Sequence, residues 1–347
     1  MRRALLAILA LATFGPHASV AAEVEEAIPG LCVSRVVAVD PSKPGIAADA
    51  LAAAPELGLC DGGHIALVYA DGVLGTRLKI ALYGGEDPPV CETEMMDQAK
   101  ISASEGRLYA WLVGSTIDYN HGILGDGIEA SGFCIGRAGE DRAFEFMLPL
   151  GSVFEDLRVR LVDLTGDGRE EFVVVRSYLD RGAALAVYHL VETRISHLAE
   201  TPAIGIANRW LNPAGAADFD GDGRVEIAYV ETPHIGGTLR VWELVDGQLR
   251  QEQAVEGFSN HAIGSRELDL SAVLDWNVDG VPDLALPDAA RRGLRIVTFA
   301  DGDFVELDAI PHDAEIVTAI LATDLDADGR PELLYGLEDG RLMLARP

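Results

Sequence analysis

The residues of this sequence best equipped to do chemistry are regularly spaced carboxylates. The stretch DFDGDGRVEIAYV sets Asp218, Asp220 and Asp222 on alternate residues, follows them with Gly223, and adds Glu226 three residues on. Related stretches begin at Asp163 (DLTGDGREEFVVV), Asp275 (DWNVDGVPDLALP) and Asp324 (DLDADGRPELLYG). Counted from the first aspartate, positions 1, 3 and 5 are Asp163, Thr165, Asp167; Asp218, Asp220, Asp222; Asp275, Asn277, Asp279; and Asp324, Asp326, Asp328. Position 6 is always glycine, and position 9 is Glu171, Glu226, Asp283 or Glu332. Oxygen ligands on alternate residues, with a glycine permitting a sharp turn, wrap a hard cation. The backbone carbonyl of position 7 (Arg169, Arg224, Val281, Arg330) can point inward as well. Mixed anionic and neutral oxygens in a flexible loop suit Ca²⁺ better than Mg²⁺, which demands an octahedron and keeps its waters. Nitrogen and sulfur ligands are missing from the pattern, which argues against zinc. Position 12 is Val174, Tyr229, Leu286 or Tyr335 rather than a bidentate glutamate, so the loops are not EF-hands. Asp/Gly-rich turns between strands are common, but four copies at matching positions make that bland reading weak.

Loops of this kind need elements to hold them. Their first aspartates lie 55, 57 and 49 residues apart, so the chain is an array of similar units. Each loop is preceded by a short apolar segment (RVRLVD, AGAADF, LSAVLD, AILATD) and followed by another (FVVV, IAYV, LALP, LLYG). A third segment comes after a turn (LAVYHL, LRVWEL, LRIVTF, RLMLAR), and TRISHLAE and QLRQEQAV supply examples of a fourth. Short runs of β-branched and aromatic residues punctuated by Gly and Asp read as strands. Four antiparallel strands recurring every ~50 residues are the mark of propeller blades. The spacing predicts an all-β chain forming a β-propeller of four-stranded blades, six favoured and seven open. The last unit stops after its third strand, and CVSRVVAV, starting at Cys32, is expected to complete it. Residues 30–155 carry strand-like runs (HIALVYA, RLKIALYG, RLYAWLVG, IEASGFCIG) without the acidic loop and are read as degenerate blades, with a separate small β domain as the alternative; residues 156–347 form the four loop-bearing blades.

The pattern D-x-[D/N]-x-D-G-x-x-[D/E] followed by a strand resembles the FG-GAP/VCBS repeat, which also builds the integrin α-subunit propeller. The resemblance covers residues 155–347 well and 30–150 poorly, and Thr165 departs from it. It implies a calcium-stabilised propeller with the metal loops on one face, and it implies no particular ligand.

Composition and ends bound the remaining possibilities. The start MRRALLAILALATFGPHASVAAEV has a basic beginning, an apolar run too short to span a bilayer and small residues before a cleavage point. Residues 1–22 are therefore read as a signal peptide, residues 23–347 as a single propeller, and the location as periplasmic or secreted. No later apolar run is long enough for a membrane span. The formal charge is −29, from 27 basic and 56 acidic side chains, which disfavours nucleic acid as a partner. Cys32, Cys60, Cys91 and Cys134 form no CxxC pair. In an exported chain they favour two disulfides, with three pairings open; the sequential pairing needs the least topology. On the face opposite the acidic loops, turns and linkers would gather Arg181, Asn208, Trp210, His234, Asn260, His261 and Arg291 as candidate ligand-binding residues, though solvated loop residues look the same in sequence. Metalloprotease, hydrolase-elbow and phosphate-loop motifs are absent. The expectation is an exported Ca²⁺-binding module for a protein or glycan partner. The alternative is a polysaccharide lyase or hydrolase with its site at the propeller mouth.

Overall fold

The computed structural model describes residues 22–27, 31–37, 56–60, 64–70, 73–78, 91–96, 99–104, 108–137, 140 and 142–347. The expected signal peptide lies, apart from Ala22, outside the described residues. The described chain is built from antiparallel strands, and its one helical turn is the short Ala300–Gly302 segment. Among the described residues no helix is long and apolar enough to cross a membrane.

The first strand, β1 (Glu23–Glu26), leaves its neighbours in sequence and joins the last sheet. β2 (Val33–Val37), β3 (Glu56–Leu59), β4 (His64–Ala70) and β5 (Val73–Leu78) pair in chain order. β6 (Ser102–Ala103), β7 (Leu108–Thr116), β8 (Glu129–Arg137) and β9 (Ala143–Met147) form a second stack. The short β10 (Ser152–Phe154) then bridges β8 to the next stack, which is β11 (Arg160–Val162), β12 (Glu171–Tyr178), β13 (Gly182–Val191) and β14 (Arg194–Glu200). These nine strands make one sheet. Two further four-stranded sheets follow: β15 (Leu211–Ala217), β16 (Glu226–Glu231), β17 (Thr238–Val245) and β18 (Gln248–Glu256); then β19 (Ala272–Leu274), β20 (Asp283–Pro287), β21 (Gly293–Thr298) and β22 (Val305–Pro311). β23 (Leu321–Thr323), β24 (Glu332–Gly336) and β25 (Leu342–Arg346) are completed by β1, with Glu23 opposite Arg346. Taking the nine-stranded sheet as two stacks joined by β10, the described strands group into six four-stranded units.

Burial explains the order within a unit. The second strands β12, β16, β20 and β24 are buried on both faces, which is why they read as unbroken apolar runs. The fourth strands β18 and β22 are mostly exposed and read as polar. The same logic corrects the expected closing strand. CVSRVVAV supplies β2, whose Val33 and Val36 are buried with Leu57 against Leu334 and Leu344 of the last unit. The partner of β25 is instead the glutamate-rich EVEE of β1, whose polar composition suits an outer edge.

Successive units share their cores. Phe219, Val230 and Leu239 of the fourth unit pack with Leu284, Leu286 and Phe299, and Leu294 and Ile296 of the fifth pack with Leu333 and Tyr335 of the sixth. Linkers of non-adjacent units also meet. Arg158, between β10 and β11, pairs with Asp269 of the β18–β19 linker, and Ile123 of the β7–β8 loop accepts a hydrogen bond from Gly264 of that same linker. Two disulfides join Cys32 to Cys60 and Cys91 to Cys134, the sequential pairing. They suit an oxidising compartment.

Candidate metal centres and the opposite loop face

The four acidic loops connect the first and second strands of the last four units, and they fold the same way. In each, one oxygen of the position-1 aspartate accepts the amide of the position-6 glycine at 2.9 Å: Gly168 to Asp163, Gly223 to Asp218, Gly280 to Asp275 and Gly329 to Asp324. The position-5 aspartates (Asp167, Asp222, Asp279, Asp328) accept the amide of position 7 at 2.8–2.9 Å. Those amides belong to Arg169, Arg224, Val281 and Arg330. The position-9 carboxylates accept the amide of position 2 at 2.7–2.9 Å, from Leu164, Phe219, Trp276 and Leu325. A carboxylate oxygen has about two acceptor sites, so an oxygen holding one N–H still has one to offer a cation.

Position 9 differs from the others in burial. Glu171, Glu226, Asp283 and Glu332 open the buried second strands and are at most 4 % exposed. Burial pushes the Glu226 carboxyl up to about 8 and Asp283 up to about 6, and it raises Glu171 and Glu332 too, against the pull of their amide donors. Glu226 Oε1 and Asp283 Oδ1 are buried without a hydrogen-bond partner. In the second loop, oxygens of Asp218, Asp220, Asp222 and Glu226 all lie within 4.8 Å of one another; in the fourth, those of Asp324, Asp326 and Glu332 do. Such a donor set, all oxygen and anionic, fits a hard divalent cation. A cavity of about 460 Å³ beside the second loop is lined by Asp220, Glu226, Glu243 and Glu252 together with Arg224, Arg250, Phe219 and Phe299.

The loops also require left-handed backbone at two places. Position 6 is one (φ 82°, 94°, 91° and 89° for Gly168, Gly223, Gly280 and Gly329). Position 4 is the other, and there Val278 and Ala327 replace glycine at φ 58° and 61°. A Cβ on Gly223 would meet no atom within 4 Å. Gly223→Ala is therefore expected to cost only the backbone term, about 1–2 kcal/mol, read as a lowered urea midpoint at unchanged slope.

The opposite loops hold the other candidates, and three of them, Trp210, Asn260 and His261, are buried. Trp210 is 2 % exposed; its indole donates to the Glu155 carbonyl at 2.9 Å and its ring lies parallel to His234 at 6.3 Å. His234 and His261 do come together, Nε2 to Nδ1 at 2.9 Å, while His261 Nε2 donates to the Ser265 carbonyl. That leaves His261 Nδ1 accepting the His234 proton. Burial, then the nearby His261 and Arg291, holds His234 down at about 3; burial and Arg291 hold His261 at about 4, against the pull of the Ser265 carbonyl, so both are neutral. Asn260 is buried and donates to the Asn212 and Pro213 carbonyls. Arg291 pairs with Glu315, and Asn208 donates its amide to Tyr119. Arg181, half exposed over the Tyr178 ring, and Asn208 are the exposed members of the set. No protein-family model matches the chain, and no curated protein matches it in sequence.

One buried polar cluster escaped the sequence reading. Glu155, fully buried, accepts His121 Nδ1 at 2.7 Å and the Ser177 hydroxyl. Beside it Glu129 is 1 % exposed and neither of its carboxylate oxygens has a partner. The available signal was the adjacent acids Glu155 and Asp156 inside the apolar run SVFEDLRV.

Proposed function

We propose that the six units close into a β-propeller stabilised by Ca²⁺ in its acidic loops, and that the chain is an exported binding or scaffold module for a protein or glycan. The orphaned Glu226 oxygen amid the converging carboxylates of Asp218, Asp220 and Asp222 carries the calcium reading. Ring closure draws support from β1 completing the β25 sheet and from linkers of non-adjacent units meeting at Arg158–Asp269. The FG-GAP/VCBS resemblance points the same way. The binding reading rests on the loop-rich end opposite the acidic loops, where Arg181 and neighbouring turns are exposed. For the enzymatic alternative, both ring nitrogens of the buried His261 are engaged, by His234 and by the Ser265 carbonyl.

Two measurements test this. Chelation with EGTA should lower the melting temperature, since an ion bound only by the folded state at a hundredfold excess over Kd contributes about 2.7 kcal/mol per site. An unchanged melting curve refutes a stabilising ion. A screen of glycans and envelope proteins should then find binding that EGTA abolishes, whereas turnover of a polysaccharide would favour the enzyme.

A further inference from the structure

We propose that the residue at the third loop position decides which loops hold a cation, so that the second loop is a cation site and the first is not. This rests on the calcium reading above and adds a selection rule to it. The two loops are matched in almost every other respect. Asp163 and Asp218 each accept the amides of positions 4 and 6 (Gly166 and Gly168; Gly221 and Gly223) at 2.8 and 2.9 Å. Asp167 and Asp222 each accept the position-7 amide at 2.9 Å. Glu171 and Glu226 both sit buried at the head of the second strand and accept the position-2 amide.

They differ at position 3. Thr165 brings a donor. Its hydroxyl reaches Glu171 Oε1 in a long hydrogen bond of 3.5 Å, while its backbone amide, which any residue here would carry, reaches Glu171 Oε2 at 3.2 Å. Both oxygens of the buried glutamate are thus met by the protein itself. Asp220 has no proton to give. Glu226 Oε1, in a side chain that is 1 % exposed, is left without any partner. Around it the oxygens of Asp218, Asp220 and Asp222 close to within 4.8 Å, a gathering the first-loop carboxylates do not make. A buried acceptor with no donor, among like charges, is costly unless something positive joins it. A divalent ion relieves that cost in the second loop. In the first, the threonine hydroxyl has already filled the corner where the ion would bind, and the loop holds its shape without one. Position 3 is therefore a selector: a carboxylate makes the loop depend on a cation, and a hydroxyl makes it self-sufficient.

The test counts ions per folded chain by plasma mass spectrometry and native mass spectrometry after equilibration with CaCl₂ and desalting. Asp163→Ala should leave the wild-type count unchanged, Asp218→Ala should lower it by one, and Thr165→Asp should raise it by one. If Asp218→Ala does not fold, Asp220→Thr, which gives the second loop the residue of the first, should read the same loss. An ion lost on Asp163→Ala, or none gained by folded Thr165→Asp, overturns the selection rule while leaving calcium binding intact. A wild-type count of zero overturns the calcium reading and this rule together.

Discussion

Asp156→Ala is expected to lose about 3–5 kcal/mol of stability, more than any single change in the acidic loops. Asp156 is fully buried, and both of its oxygens are in use. Oδ2 accepts the Val175 amide of β12 at 3.0 Å and Arg160 at 2.7 Å, while Oδ1 accepts the Leu157 amide at 2.8 Å. The side chain thus stands in for a strand at the gap between β10 and β11, where the first rung of the third unit is interrupted. Alanine leaves the Val175 N–H buried without an acceptor and Arg160 without its carboxylate, and breaking a buried pair from one side costs more than the pair itself contributes. Asp156→Asn keeps one acceptor oxygen and should lose less. Guanidinium unfolding of the three proteins gives the ranking, and an alanine variant within 1 kcal/mol of wild type would show that the Asp156 network adds little.

The parts of this architecture visible in the sequence are those that physics repeats locally. Alternate aspartates, a glycine obliged to be left-handed and an apolar run behind them recur because each loop solves the same problem of turning a chain into a buried strand. The buried second strands were legible for the same reason, as were the polar fourth strands. What stayed hidden depends on distant partners. EVEE carries no strand signature of its own, and becomes β1 only because β25 presents an open edge more than three hundred residues later. CVSRVVAV has the better strand pattern and is claimed by a two-sided core instead. Trp210, His234, Asn260 and His261 were legible as convergent, since turns and linkers of neighbouring units meet there. The burial of Trp210, Asn260 and His261 was not, because it depends on distant chain: the β7–β8 loop meets the same linkers through Tyr119, Ile123 and Asp126 contacts to Asn208, Gly264 and Arg266. Nothing in IDYNHGILGDGIE announces that it folds over other units.

Glu129→Gln is expected to stabilise the protein, and to do so more as the pH rises. Glu129 opens β8 at 1 % exposure, with no donor to either oxygen. Burial, then the charges of Glu155, Asp126 and Asp156, pushes its carboxyl up to about 9, and Arg266 offsets this only in part. At neutral pH the folded protein therefore carries Glu129 protonated, while the unfolded chain releases that proton above its ordinary value near 4.5. The folded state then binds the extra proton, so the slope of stability with pH is negative, about −1.4 kcal/mol per unit from one group. The loss begins above the unfolded value and stops once the pH passes the folded one. Glutamine has nearly the shape of the protonated acid and no proton to lose. The two proteins should match near pH 4, and the variant should lead by roughly 3 kcal/mol at pH 7 as an upper bound. The comparison is of denaturant midpoints at pH 4, 7 and 9, where the gap must widen with pH. Equal pH dependence in the two proteins would mean that Glu129 is ionised in the fold, with a positive partner supplied from outside the described residues or by a bound cation.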